Sequence, residues 1–178
     1  MNVPNSLTIF RILLIPVFIS LLVYEEYSYA LAALLVAGIT DALDGTIARI
    51  ANQRTQLGAY LDPLADKLLL TAGYVTLSVL HLIPLWIVIV IVSRDIILLT
   101  GTVLVHLTQA PVQVAPTLLG KLTTVAQLGY LLLVVILCAR GADLVMAHPV
   151  LYVMVALTVA SGLHYLYRGF SELNAAPA

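Results

Sequence analysis

Six apolar runs separated by short polar intervals account for most of the chain: 7–23, 29–48, 62–80, 84–105, 121–139 and 149–167. Each approaches or reaches the roughly 17 to 25 residues that a helix needs to cross the hydrocarbon core of a bilayer. The pattern predicts an all-α membrane protein: six transmembrane helices behind a short interfacial N-terminal segment, in a single domain, 1–178. The intervals suit this reading. Pro4 and Asn5 fit an interfacial turn, YEEYSY (24–29) an aromatic-rich loop, HLIP (81–84) a turn stopped by Pro84, and 106–120, with two prolines, the longest loop. The tail SELNAAPA is expected to be disordered. No cleavable signal peptide is expected, because MNVPNSLTIFR has no basic stretch and no small-residue cleavage site before its apolar run.

Composition strengthens the membrane reading. Hydrophobic residues make up 62% of the chain and charged residues 10%, where an ordinary soluble domain is about a quarter charged; mean hydropathy is +1.08. The net charge of −1 offers no basic surface, and no nucleic-acid partner is expected. The lone Cys138 cannot form an internal disulfide. Placement of the basic residues says more than their number. With a cytoplasmic N-terminus, Arg11, Arg49, Arg54, Lys67, Lys121 and Arg168 all fall at inner ends or inner loops, as the positive-inside rule favours.

One stretch breaks the apolar pattern. Between residues 41 and 66 lie Asp41, Asp44, Asp62 and Asp66, at the inner ends of the second and third spans. The members of each pair are three or four residues apart and share a helix face. At roughly 2.5–3.5 kcal/mol per charge at membrane depth, four unpaired carboxylates would cost on the order of ten kcal/mol. Arg49 and Lys67 can offset part of this, and a structural ion-pair network is one reading. The other is an all-oxygen cage for a hard divalent cation, Mg²⁺ or Mn²⁺, with two clustered ions implying a phosphate substrate. Gly45, Ala48 and Gly58 leave room for a bulky ligand near backbone. A transporter with an acidic ion site is the reading from another class; the clustering of the charges on one side, instead of along a path across the membrane, speaks against it.

The pattern Asp41-x2-Asp44-Gly45-x2-Ala48-Arg49-x8-Gly58-x3-Asp62-x3-Asp66 resembles the signature of the CDP-alcohol phosphotransferase (CDP-alcohol phosphatidyltransferase) family at every fixed position. PNSLTIFR near the N-terminus, LDPLADK (61–67), SRD (93–95) and GKLTTVAQ (120–127) are similar to the branch holding phosphatidylglycerophosphate synthases and eukaryotic-type cardiolipin synthases. The resemblance implies a homodimeric inner-membrane enzyme whose site faces the cytoplasm. Asp41, Asp44, Asp62 and Asp66 would hold two divalent ions, with Asp66 also the general base. Asn5, Thr8, Gly45, Ala48, Arg49 and Gly58 would take the CDP part of CDP-diacylglycerol, whose acyl chains stay among membrane lipids. The implied reaction moves the phosphatidyl group to an acceptor hydroxyl and releases CMP. Glycerol 3-phosphate is placed first as acceptor and phosphatidylglycerol second.

Either acceptor carries phosphate, so further cations are of interest. Arg94, at the middle of the fourth span, Lys121, at the start of the fifth, and Arg11 are candidates for an anion subsite. An interhelical ion pair for Arg94 and a snorkelling anchor for Lys121 are the plainer readings. Asp95 points about 100° away from Arg94 around the helix and is expected to pair elsewhere.

Overall fold

The computed structural model describes the backbone of residues 3–50, 56–108 and 117–175, and the side chains of 8–41, 65–101 and 117–169. Six α-helices follow one another: α1 Val3–Val23, α2 Tyr27–Ile50, α3 Gln56–Val79, α4 Leu85–Thr108, α5 Leu118–Ala139 and α6 His148–Ala175, the last entered through a 3-10 turn, Leu144–Ala147. No strand occurs among the described residues, so the all-α expectation holds. The helices are longer than the apolar runs that predicted them. α1 starts at Val3, which puts Pro4 and Asn5 in its first turn and not in a preceding turn; a proline there gives up an N–H that a helix start leaves unpaired anyway. α3 starts at Gln56, ahead of the apolar run at 62, and α6 continues to Ala175, into the tail expected to be disordered.

Length and apolarity suffice for crossing a membrane in two stretches among the described residues, Leu118–Ala139 and Leu144–Gly169; Thr8–Val23 and Tyr27–Asp41 are apolar but shorter. The outward faces are apolar as well. On α1, Ile9, Leu13 and Val17 are exposed, as are Tyr152, Val153 and Leu163 on α6. A helix that is apolar all round, with no polar face for water, belongs in lipid.

Three helices end alike. After α1, Glu25 N–H bonds to Leu22 C=O and Glu26 N–H to Leu21 C=O; His81 and Leu82 do the same on Ser78 and Leu77 after α3, and Gly141 and Ala142 on Cys138 and Leu137 after α5. These are Schellman caps, which satisfy the last carbonyls of a helix through one residue in left-handed conformation. That residue is Glu25 (φ 61°), His81 (φ 58°) and Gly141 (φ 61°). α5 opens with Thr117, whose Oγ1 accepts the Gly120 N–H at 3.1 Å, the bond of an N-cap.

The chain divides into two compact units, residues 1–83 with 131–145, and 84–130 with 146–178. In the first, α1 packs against both α2 and α3. The buried stripe of α1 runs Thr8, Arg11, Ile15, Phe18, Leu22, and that of α2 runs Ala30, Leu34, Ala37, steps of three and four that keep one side of a helix facing inward. Gly73 of α3 is a close approach: a Cβ there would meet Leu131 and Phe18 carbons at 3.1 Å. Gly38 of α2, by contrast, faces open space. In the second unit α4 packs against α6, and a polar seam joins α5 to α6. Gln127 Nε2 donates to Thr158 Oγ1 at 3.3 Å, and Thr123 Oγ1 donates to the Leu157 carbonyl at 3.1 Å. Side-chain hydrogen bonds of this kind hold helices together where lipid removes the hydrophobic incentive.

Candidate functional site

Backbone continuity places the predicted acidic residues as their spacing implied. α2 runs unbroken through Asp41, Asp44, Gly45, Ala48 and Arg49, and α3 through Gly58, Asp62 and Asp66. The side chains of Asn5, Asp44, Gly45, Ala48, Arg49, Gly58 and Asp62 lie outside the described residues. Asp41 and Asp66 are described, and one residue brings them together: Arg11. Its Nη1 donates to Asp66 Oδ1 at 2.5 Å, and its Nη2 lies 2.6 Å from Asp41 Oδ1. The second contact is an ion pair without hydrogen-bond alignment, and the Nε has no hydrogen-bond partner among the described residues.

The stripes described above explain the meeting. Arg11 sits on the inward face of α1, one turn after the buried Thr8, and Asp41 continues the α2 series 30, 34, 37 by four. Packing α1 onto α2 and α3 therefore drives the guanidinium between the two carboxylates. Their exposures differ sharply: the Arg11 side chain is 1% accessible, while Asp41 and Asp66 retain 46% and 45%. The arginine forms the floor of the site and the carboxylates its open rim. Sequence reading named Arg49 and Lys67 as the cations for this cluster and grouped Arg11 with an anion subsite; the pairing of Arg11 spans 55 residues to Asp66. The signal that pointed to it was depth, since Arg11 shares the inner end of the spans with the aspartates.

Arg94 belongs to the second unit. It is buried, its Nη1 donates to its neighbour Asp95 at 2.8 Å, and its Nη2 reaches the Gly120 carbonyl and Ser161 Oγ, each at 3.4 Å. Asp95 does pair with Arg94, because a long arginine can curl back along its own helix to an adjacent carboxylate. Gly162 lies against the Arg94 stem, where a Cβ would make an ordinary van der Waals contact of 3.8 Å with Cγ. At the start of α5, Tyr165 Oη accepts the Thr117 N–H at 3.1 Å and would stand 3.0 Å from a Cβ on Gly120. Lys121, the next residue, is exposed. Ser161 and Gly162 escaped the sequence reading, although Met154, Thr158, Ser161 and Tyr165 form a three-and-four stripe on α6.

The donor set fits a hard cation. Two carboxylates from separate helices present oxygen toward solvent at one point, which is the chemistry Mg²⁺ and Mn²⁺ select. No group of three His, Cys, Asp or Glu side chains that could hold a metal occurs among the described residues; Asp44 and Asp62 are not among them.

All-helical architecture, apolar outward faces and two aspartates gathered on a buried arginine define a helical membrane protein. The model of the CDP-alcohol phosphatidyltransferase family matches residues 1–161. The chain belongs to that family. It is 36% identical to the CDP-diacylglycerol–glycerol-3-phosphate 3-phosphatidyltransferase of Bacillus subtilis over 97% of both chains. It is also 38% identical to the cardiolipin synthase (CMP-forming) of Homo sapiens and 37% identical to that of Rattus norvegicus, in each case over 71% of this chain. The chain spans about half the length of the human and rat proteins, 48% and 47%.

Proposed function

We propose that the protein transfers the phosphatidyl group of CDP-diacylglycerol to the free hydroxyl of glycerol 3-phosphate, releasing CMP. The observation that carries this reading is the gathering of Asp41 and Asp66, two fixed positions of the family signature, onto one buried guanidinium with their remaining surface open. Near-complete mutual coverage with the Bacillus subtilis relative supports glycerol 3-phosphate as the acceptor. Phosphatidylglycerol, giving cardiolipin, is the second reading, and the likeness to the human and rat cardiolipin synthases favours it.

In this reading residues 1–178 act as one domain, with six spans in the inner membrane, as a homodimer, and with the site facing the cytoplasm. Asp41, Asp44, Asp62 and Asp66 hold two Mg²⁺ or Mn²⁺ ions, which supply charge neutralisation for the phosphates and the leaving CMP. Asp66 takes the proton of the acceptor hydroxyl as its oxygen attacks the phosphorus that carries diacylglycerol. Asn5, Thr8, Gly45, Ala48, Arg49 and Gly58 bind and orient the CDP part. Arg94 and Lys121 are assigned to the acceptor's phosphate on charge. Arg11, whose amino groups are both committed to carboxylates, is not.

Supplying purified protein with CDP-diacylglycerol, Mg²⁺ or Mn²⁺, and either acceptor, then identifying the product lipid, tests the whole reading. Phosphatidylglycerophosphate is the expected product, cardiolipin would establish the second reading, and no CMP release under either metal would return the transporter to consideration. Asp66→Asn is expected to slow CMP release at least about 100-fold, the scale of a lost general base. A normal rate would remove Asp66 from that role.

A further inference from the structure

We propose that Arg11 is a built-in counter-ion, holding the cation position between Asp41 and Asp66 when no divalent ion is bound and opposing the ion when one arrives. The inference rests on the metal reading above and adds a residue that lowers the site's ion affinity.

Burial is the first step of the argument. The Arg11 side chain is 1% accessible, so water cannot stabilise its charge, and its stability in the fold depends on Asp41 and Asp66. The reverse also holds: without Arg11 the two carboxylates, brought together from α2 and α3, would repel each other. Contact geometry is the second step. Among the described residues only Nη1 makes an aligned hydrogen bond, to Asp66; Nη2 sits 2.6 Å from Asp41 Oδ1 without alignment, and Nε has no hydrogen-bond partner there. Charge, more than directed hydrogen bonding, holds the guanidinium there. Access is the third step. A hydrated ion can approach the carboxylates from their open side while Arg11 remains beneath, and two cations then share the same acidic oxygens. Their mutual repulsion weakens ion binding and helps the ion leave; when it has left, Arg11 keeps α1, α2 and α3 together.

The test compares full-length wild type with Arg11→Met and Arg11→Lys in lipid nanodiscs, titrating Mn²⁺ by electron paramagnetic resonance and recording thermal unfolding with and without the ion. Removing one unit charge a few ångströms from a divalent ion should tighten Mn²⁺ binding by Arg11→Met about tenfold or more. The same variant should melt below wild type without ion and gain more than wild type on adding Mn²⁺. Folding of Arg11→Met only in the presence of Mn²⁺ would be the same result in stronger form. Should it fold in neither condition, Arg11→Lys carries the test. A lysine keeps the charge, but one ammonium cannot fork to two carboxylates, so its Mn²⁺ affinity should exceed wild type by about threefold. Affinity equal to or weaker than wild type in the variant that folds overturns the proposal. Absence of Mn²⁺ binding by wild type would overturn the metal reading and this inference together, whereas tight wild-type binding with no gain in the variants overturns this inference alone.

Discussion

Arg94 and Arg11 solve the same problem differently. Arg11 is neutralised by two residues from other helices, and Arg94 by the residue beside it, with long contacts to Gly120 and Ser161 completing its surroundings. Removing one member of a buried ion pair leaves a charge that the interior cannot solvate, at about 3–5 kcal/mol, while replacing both by apolar residues is often neutral. Asp95→Ala should therefore lower the unfolding midpoint strongly, and Arg94→Met with Asp95→Leu should recover most of the loss, as read by thermal unfolding in detergent. Glycerol 3-phosphate KM separates the structural from the substrate role. If Arg94 serves only Asp95, the double variant keeps its KM; if it serves the acceptor, KM rises. At this scale the sequence singled out unusual residues more readily than what they touch. The aspartates were legible because charge in an apolar chain is conspicuous. The Arg11 partnership was not, because it depends on which faces of α1, α2 and α3 pack together.

Helices and their ends were legible to different degrees. Apolar runs predicted all six helices, since a stretch that must satisfy its own backbone in lipid has little choice but to coil. Their ends moved by up to several residues, because a helix continues past its apolar part while backbone bonds remain available, as at Val3, Gln56 and Ala175. Two of the three Schellman caps were hidden as well, since Glu25 and His81 occupy a conformation that usually announces itself by glycine. A side chain there costs about 1 kcal/mol. His81→Gly should consequently stabilise the protein by about 0.5–1 kcal/mol, a midpoint rise of about 2 °C for a chain of this size. Gly141→Ala should lose about 1 kcal/mol although nothing lies within 4 Å of the new Cβ, so the effect would be of backbone origin alone. Thermal unfolding of the two variants side by side checks both signs.

For the whole molecule, the proposed six crossings place the three Schellman turns on one side of the membrane, since each closes an odd-numbered helix. In the proposed orientation that side is the exterior. In a Cys138→Ser background, cysteines introduced at Glu25 and Asp143 should react with a membrane-impermeant maleimide in intact cells, and one at Arg168 only after lysis. The opposite pattern would invert the orientation and move the aspartates away from the cytoplasm. The sequence offers an orientation to test, because charge counts near helix ends bias it. The division into two compact units was not legible there, because it depends on how α5 distributes its length, residues 118–130 to one unit and 131–139 to the other.

The Arg11 pairing also has a consequence in time. At about 5–20 residues per second, a ribosome finishes Asp66 some 3 to 11 s after Arg11, so a growing chain carries the guanidinium for seconds before both acidic partners exist. During that interval α1 cannot rest in its final position, and the insertion machinery must shelter a charged helix. Commitment of the N-terminal helix thus waits on the third.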